Sequence, residues 1–129
     1  MVEMVIILPL LCMILFAIAE FSVLFGRWQT LSNAAREGAR TAIVFRGGCN
    51  AATVEAEVRQ RVKDYASPLG MSLADGDISV IGACGASTTS ATVTATFQHN
   101  FRILPNFAGT VGPMVPLVGS STMRNEGSS

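Results

Sequence analysis

Residues 2–45 read VEMVIILPLLCMILFAIAEFSVLFGRWQTLSNAAREGARTAIVF, and this stretch decides the fold. Residues 4–19 carry no charge, and after Glu20 a second apolar patch covers residues 21–25. Together they make about 22 residues, enough to cross the roughly 30 Å core of a bilayer as a helix. Gly26 and Arg27 end the apolar run, yet Trp28, Leu31, Ala35, Ala39, Ala42 and Ile43 continue at spacings of three and four. No proline occurs between Leu10 and Ser67, and Gly47-Gly48 is the first strong break after the apolar segment. The pattern predicts one helix of about 44 residues, roughly 65 Å long.

The remaining chain has room for one small domain. Of 129 residues, roughly 80 follow the helix, near the size at which a single core is marginal and a covalent staple helps. Nine basic and nine acidic residues cancel, and no Lys/Arg block marks a nucleic-acid surface. With three Cys and one His, zinc-ligand spacing cannot be written. His99 has no second His and no Ser/Asp or Cys/His constellation near it, so it reads as a hydrogen-bonded structural residue. The glycines do not form a phosphate loop at a strand-to-helix junction. The expectation is therefore a protein that is not an enzyme and takes no cofactor or metal.

Beyond the long helix, Asn50 is placed to cap a second helix over residues 51–66, with Val54, Val58, Val62 and Tyr65 on one stripe. Pro68 and Gly70 end it, and Asp75-Gly76-Asp77 signals a turn. Residues 78–84, 91–101 and 117–123 read as strands. In the second, Val93, Ala95, Phe97, His99 and Phe101 alternate with Thr92, Thr94, Thr96, Gln98 and Asn100, giving one apolar and one Thr-rich face. Residues 125–129 read as a frayed tail. The fold class is α+β: a long N-terminal helical stalk whose first half spans a membrane, a short second helix, and a small three-stranded antiparallel sheet covered by the helical stripes. Two domains follow: residues 1–26 as the apolar helix, and residues 27–129 as the water-facing part, including the second half of that helix.

The apolar run does not read as a cleavable signal peptide, because no Lys or Arg precedes it and no small-x-small pattern sits where it gives way to Glu20-Phe21-Ser22. Arg27, Arg36 and Arg40 all follow the span, which alone places the C-terminal part in the cytoplasm. The cysteines argue the other way. The reading that reconciles them is a processed form whose basic leader has been removed, with the C-terminal part outside the cytoplasm.

Several runs carry a family resemblance. Val2-Glu3-Met4 followed by Val5-Ile6-Ile7-Leu8-Pro9-Leu10-Leu11, then Glu20-Phe21, resembles the start of TadE-like pseudopilins of tight-adherence pili. Asn33-Ala34-Ala35-Arg36-Glu37-Gly38-Ala39-Arg40 is the most specific run; Phe101-Arg102, Pro105 and the closing Ser121-Thr122-Met123-Arg124-Asn125-Glu126 are similar too. The resemblance implies a pilin-like, bitopic precursor in the bacterial inner membrane. It would be trimmed by a prepilin peptidase and incorporated with other pilin subunits into an extracellular pilus, or assist that assembly. Family members carry a basic leader ending in Gly and a glutamate a few residues past the cut; here Glu3 lies about two residues closer to the start.

Within that reading the helix carries the assembly candidates. Glu3 would neutralise a neighbouring subunit's terminal amine, whereas Glu20 would sit near the outer membrane surface, reaching water or Arg27, or else pair with a cation on another subunit. Pro9 removes one helical hydrogen bond and invites a kink that could help extraction from the bilayer. Ala34, Ala35, Gly38, Ala39 and Ala42 form a small-residue stripe fit either for close helix bundling or for lying beneath the chain's own sheet. Arg36, Glu37 and Arg40 are placed for contacts between subunits or domains. Cys49, in the loop after the stalk, and Cys84, at a strand end, are expected to form a disulfide, with Cys12 excluded by its place in the apolar run. The function expected is a structural pilin or minor pseudopilin supporting adhesion. The alternative is a membrane-anchored binding module using the sheet face or the 103–116 loop; a secreted enzyme with a retained anchor is the weakest reading.

Overall fold

The computed structural model describes residues 2–44, 49–85, 89–101 and 114–125, with nothing stated for the side chain of Val2. The Gly47-Gly48 break, Arg102, Pro105, Glu126 and most of the 103–116 loop lie outside them. Helix α1 runs Val2–Ile43 and passes through Pro9 without interruption. Helix α2 covers Ala51–Ala66, opened by Asn50, whose Oδ1 accepts the Ala52 amide at 3.1 Å; this side-chain cap satisfies one of the helix's free N-terminal donors. Strands β1 (Ile78–Ile81), β2 (Ser90–His99) and β3 (Val115–Arg124) form one sheet in the order β1-β2-β3. β1 and β2 are antiparallel, with Ile78 opposite Ala95 and Ile81 opposite Thr92. The cross-strand hydroxyl pairs Thr92–Thr122 at 2.9 Å and Thr94–Ser120 at 3.1 Å run in opposite chain directions, so β2 and β3 are antiparallel too. This is the α+β layout that the periodicities predict.

The chain divides into two compact units, Met1–Gly26 with Gln98–Pro116, and Arg27–Phe97 with Leu117–Ser129. In the first, the helix displays its apolar side chains: Val5 is 71% and Phe21 64% exposed. Ser22, a polar residue in this run, donates its hydroxyl to the Ile18 carbonyl at 2.8 Å, which keeps it satisfied without water. His99 is buried and meets the Phe101 ring edge-on at 5.2 Å.

The core of the second unit forms where α1, α2 and β2 converge on Gly38. A Cβ at Gly38 would stand 2.7 Å from Val62 Cγ2 and 3.3 Å from both Val58 and Val93. Leu31, Ala34, Ala35, Ala39 and Ala42 are buried with it, against Val54, Val58, Val62 and Ala66 of α2 and Ala91, Val93 and Ala95 of β2. Small residues on α1 let the neighbouring backbones approach, and the β-branched residues fill the space above them. Of the two uses the sequence allows for this stripe, the structure uses it beneath the chain's own sheet.

β3 crosses α1 at even closer range. A Cβ at Gly119 would lie 2.6 Å from the Leu31 carbonyl oxygen and 2.8 Å from the Ser32 nitrogen, both backbone atoms that cannot turn aside. Gly119→Ala should therefore force strand and helix apart, a strain of about 1–3 kcal/mol. The expected result is a melting temperature lowered by about 4–8 °C per kcal/mol for a domain this small. An unchanged circular-dichroism melt would contradict the close approach.

Several boundaries differ from the sequence reading. The first strand ends at Ile81 and not at residue 84, because Gly82 (φ 80°) and Cys84 (φ 60°) take left-handed conformations that break an extended chain. At Gly82 a Cβ would also collide with the Ser90 carbonyl oxygen, so glycine alone fits there. Tyr65 is 45% exposed, and Ala66 takes the buried place on the i, i+4 stripe; a phenol in the last turn keeps its hydroxyl in water. Trp28 is 44% exposed and stands outside the buried stripe of α1. Asn125 is no part of a frayed tail. It is 6% exposed; its side-chain amide donates to the Gly82 carbonyl at 3.1 Å and to Thr89 Oγ1 at 2.9 Å, and its own N–H reaches the Thr89 carbonyl.

Candidate functional site: the N-terminal helix and its flanking groove

The features that bear on function are spread along α1. Within Glu3–Ile43 lies a window of mean hydropathy 2.7, of which only 6% is buried, so the helix is long and apolar enough to cross a membrane and that window is not covered by the chain. Glu3 is exposed in its first turn. Pro9 is exposed as well.

Glu20 departs from one of the placements expected of it, the reach into water. It is 8% exposed and engaged by a polar or charged partner in its own chain, so it does not reach out to water at a membrane surface. A buried carboxylate is stable only when paired, which accounts for that engagement. Arg27 places its guanidinium over the Phe97 ring, 5.7 Å from the centroid, a cation–π arrangement.

In the Asn33–Arg40 run the helix separates two kinds of residue. Ala35 and Gly38 are buried under the domain, so they pack within the chain and present nothing to a second subunit. Arg36 and Arg40 are exposed and Glu37 half-buried, with the Glu37 carbonyl accepting the Thr41 hydroxyl at 3.1 Å. The i, i+4 periodicity that buries the small residues necessarily turns the arginines outward.

A groove that sequence reasoning missed runs between this exposed face and β3. One wall carries Trp28, Gln29, Ser32, Asn33 and Arg36; the other carries Val118 and Ser120, and the space between them is about 580 Å³. The helix side was legible as the i, i+4, i+8 set Trp28, Ser32 and Arg36, but β3 as its opposite wall was not.

Cys49 and Cys84, 35 positions apart in sequence, form a disulfide with Cα atoms 5.9 Å apart; that distance lies inside the usual range for a bridge. Cys12 is free and half-buried. The left-handed turn at Gly82 and Cys84 brings the second cysteine off the strand, and Asn125 ties the same turn to the end of β3.

At the end of α2, the Lys63 ammonium donates to Asp75 Oδ1 at 2.7 Å. That hydrogen bond first, and the ammonium charge second, hold the Asp75 carboxyl below its usual 3.8. Its folded value thus lies below its unfolded one, so the pair's contribution is present above about pH 3.8 and is lost as pH falls further. Asp75 is largely exposed, so the contribution is small. Lys63→Met should make acid unfolding shallower below pH 3.8 and leave neutral stability nearly unchanged; an identical acid limb in both proteins would count against the pairing.

Among the described residues no group of three or more His, Cys, Asp and Glu is placed to hold a metal. No curated protein and no solved structure matches this chain. The family model described as TadE-like protein matches residues 1–40, so the likeness to TadE-like proteins covers the apolar segment and the helix through Arg40.

Proposed function

We propose that this chain is a structural pilin or minor pseudopilin of a tight-adherence-type pilus, assembling through its N-terminal helix and supporting surface adhesion. The observation that carries the reading is a bare apolar helix within the segment that matches TadE-like proteins. Such a surface needs a bilayer before assembly and neighbouring helices after it. Residues 1–26 serve as the membrane and filament-core helix, and residues 27–129 as the domain outside the cytoplasm. The Cys49–Cys84 disulfide supports that side of the membrane, since such bridges persist in oxidising compartments. Glu3, Pro9, Arg36, Glu37 and Arg40 are the assembly residues, and a prepilin peptidase and other pilin subunits are the partners.

The reading assigns no catalysis to the chain. A second reading, a membrane-anchored binding module, has one observation in its favour: Thr92, Thr94, Thr96, Ser120 and Thr122 put a row of hydroxyls on the sheet face opposite the core, with Arg124 at its end. Cell fractionation separates the two. A filament subunit is expected in sheared surface material, depleted from it when the prepilin peptidase is inactivated; a binding module stays with the membrane in both backgrounds.

A further inference from the structure

Both edges of the sheet are open. In the order β1-β2-β3 the outer strands each have a neighbour on one side only. Among the described residues, no backbone hydrogen bond from outside the sheet reaches residues 79–81 of β1 or any residue of β3. Sheets commonly guard such edges with charge, proline or a covering element. β3 has Pro116 near its start and Arg124 at its end, but residues 117–123 between them carry neither charge nor proline, and β1 carries none at all.

The space beside β3 suits another strand. No residue of β1 or β2 lines the groove, so it lies on the free side of β3, with Val118 and Ser120 on its wall and a volume of about 580 Å³. Gln29, Ser32 and Asn33 across it each offer both donors and acceptors, the mixture that peptide groups present. An unpaired strand edge is itself complementary to extended backbone.

A second copy carries the matching strand. β1 and β3 both run antiparallel to β2, so they point the same way. Copies inserted in one membrane from the same side share an orientation, and a copy displaced sideways brings its β1 to the neighbour's β3 as a parallel pair. Ile81 and Val118 are exposed apolar residues on the outer face of the sheet, one at each edge, beside the hydroxyls of Ser79 and Ser120. Across such a junction they cover one another as a cross-strand apolar pair.

We propose that copies of this chain join head to tail through their sheets, β1 of one pairing with β3 of the next and Ile81 packing on Val118. The junction is heterologous and open-ended, so it continues along a filament and does not close on a pair. β1 has four residues, so one junction is weak alone and forms where the membrane or bundled helices already hold copies close and aligned. The inference rests on the filament reading of residues 1–26 and adds a contact between domains to the contact between helices.

Cysteine pairs test it in the full-length chain, with Cys12→Ala and the Cys49–Cys84 bridge kept. Ile81→Cys and Val118→Cys chains are co-expressed in one bacterial membrane and treated with a short bis-maleimide, which leaves the disulfide alone. The mixture is expected to give a cross-linked dimer and either chain alone to give little, while a chain with both substitutions gives a ladder. Val118→Cys cross-linking to itself as well as the mixture does marks symmetric pairing and overturns the proposal. So does an equal yield when Thr94→Cys, on the central strand, replaces Ile81→Cys, which marks random collision. In a second measurement, lysine at both Ile81 and Val118 should lower the ratio of chain in sheared pili to chain in membrane about fivefold, the effect of one like-charged cross-strand pair. Ile81→Lys with Val118→Asp should restore it. Chain that reaches sheared pili equally in all forms, without the cross-link, overturns the inference and leaves the filament reading standing. A cross-link in the membrane with no chain in sheared material supports the pairing and overturns the filament reading.

Discussion

Replacing Cys49 and Cys84 together by serine is expected to lower the domain's unfolding free energy by about 3–4 kcal/mol, the chain-entropy value for a loop of about 35 residues. For a domain with so small a core that is a large share of the total. The reason is local as well as topological. Cys84 sits in a left-handed turn between β1 and β2, and Asn125 at the end of β3 is bonded to the carbonyl of Gly82 in that turn. The bridge thus anchors the α1–α2 connection to a corner that already ties all three strands together. Thermal melts of the full-length chain in detergent, oxidised and reduced, should differ by more than about 10 °C. Coincident melts would show that the bridge does not form or does not constrain the unfolded chain.

The second large effect is expected at Glu3. In a bundle of apolar helices the terminal amine of a processed subunit is buried, and a carboxylate one turn along a neighbouring helix can neutralise it. Glu3 is exposed in the first turn of α1 and therefore open to such a neighbour, whereas Glu20 is buried and engaged in its own chain. Glu3→Gln keeps the shape and removes the charge, at a cost of roughly 3–5 kcal/mol for a broken buried pair. Its ratio in sheared pili relative to membrane should fall more than tenfold with membrane levels preserved. Glu20→Gln should act differently, lowering the amount of stable chain in the membrane and leaving that ratio near wild type. Equal incorporation of Glu3→Gln and wild type would remove the pairing from the account.

How far the sequence could be read depended on which interactions set each feature. The long helix and α2 were legible because the 3.6-residue periodicity of Leu31, Ala35, Ala39 and Ala42, and of Val54, Val58 and Val62, is a local pattern that the fold simply covers. The alternation from Ala91 to His99 was legible for the same reason. What escaped was set by contacts distant in sequence. Asn125 looks like tail until Gly82 and Thr89 stand beside it. Glu20 looks like a residue bound for the interface until the chain buries it. Gly119 is one residue of the strand read over 117–123 until β3 meets the backbone of Leu31 there. The groove needed both of its walls, and β3 could not be placed beside Trp28 and Arg36 from spacing alone.

The pilus reading is tested most directly by mass spectrometry of filaments sheared from cells and purified away from membrane, with the N-terminal residue of this chain determined. The account predicts that peptides from residues 27–129 are present, with a processed N-terminus just ahead of the apolar run of α1. Filaments free of this chain, with the intact protein recovered wholly in the membrane fraction, would contradict it.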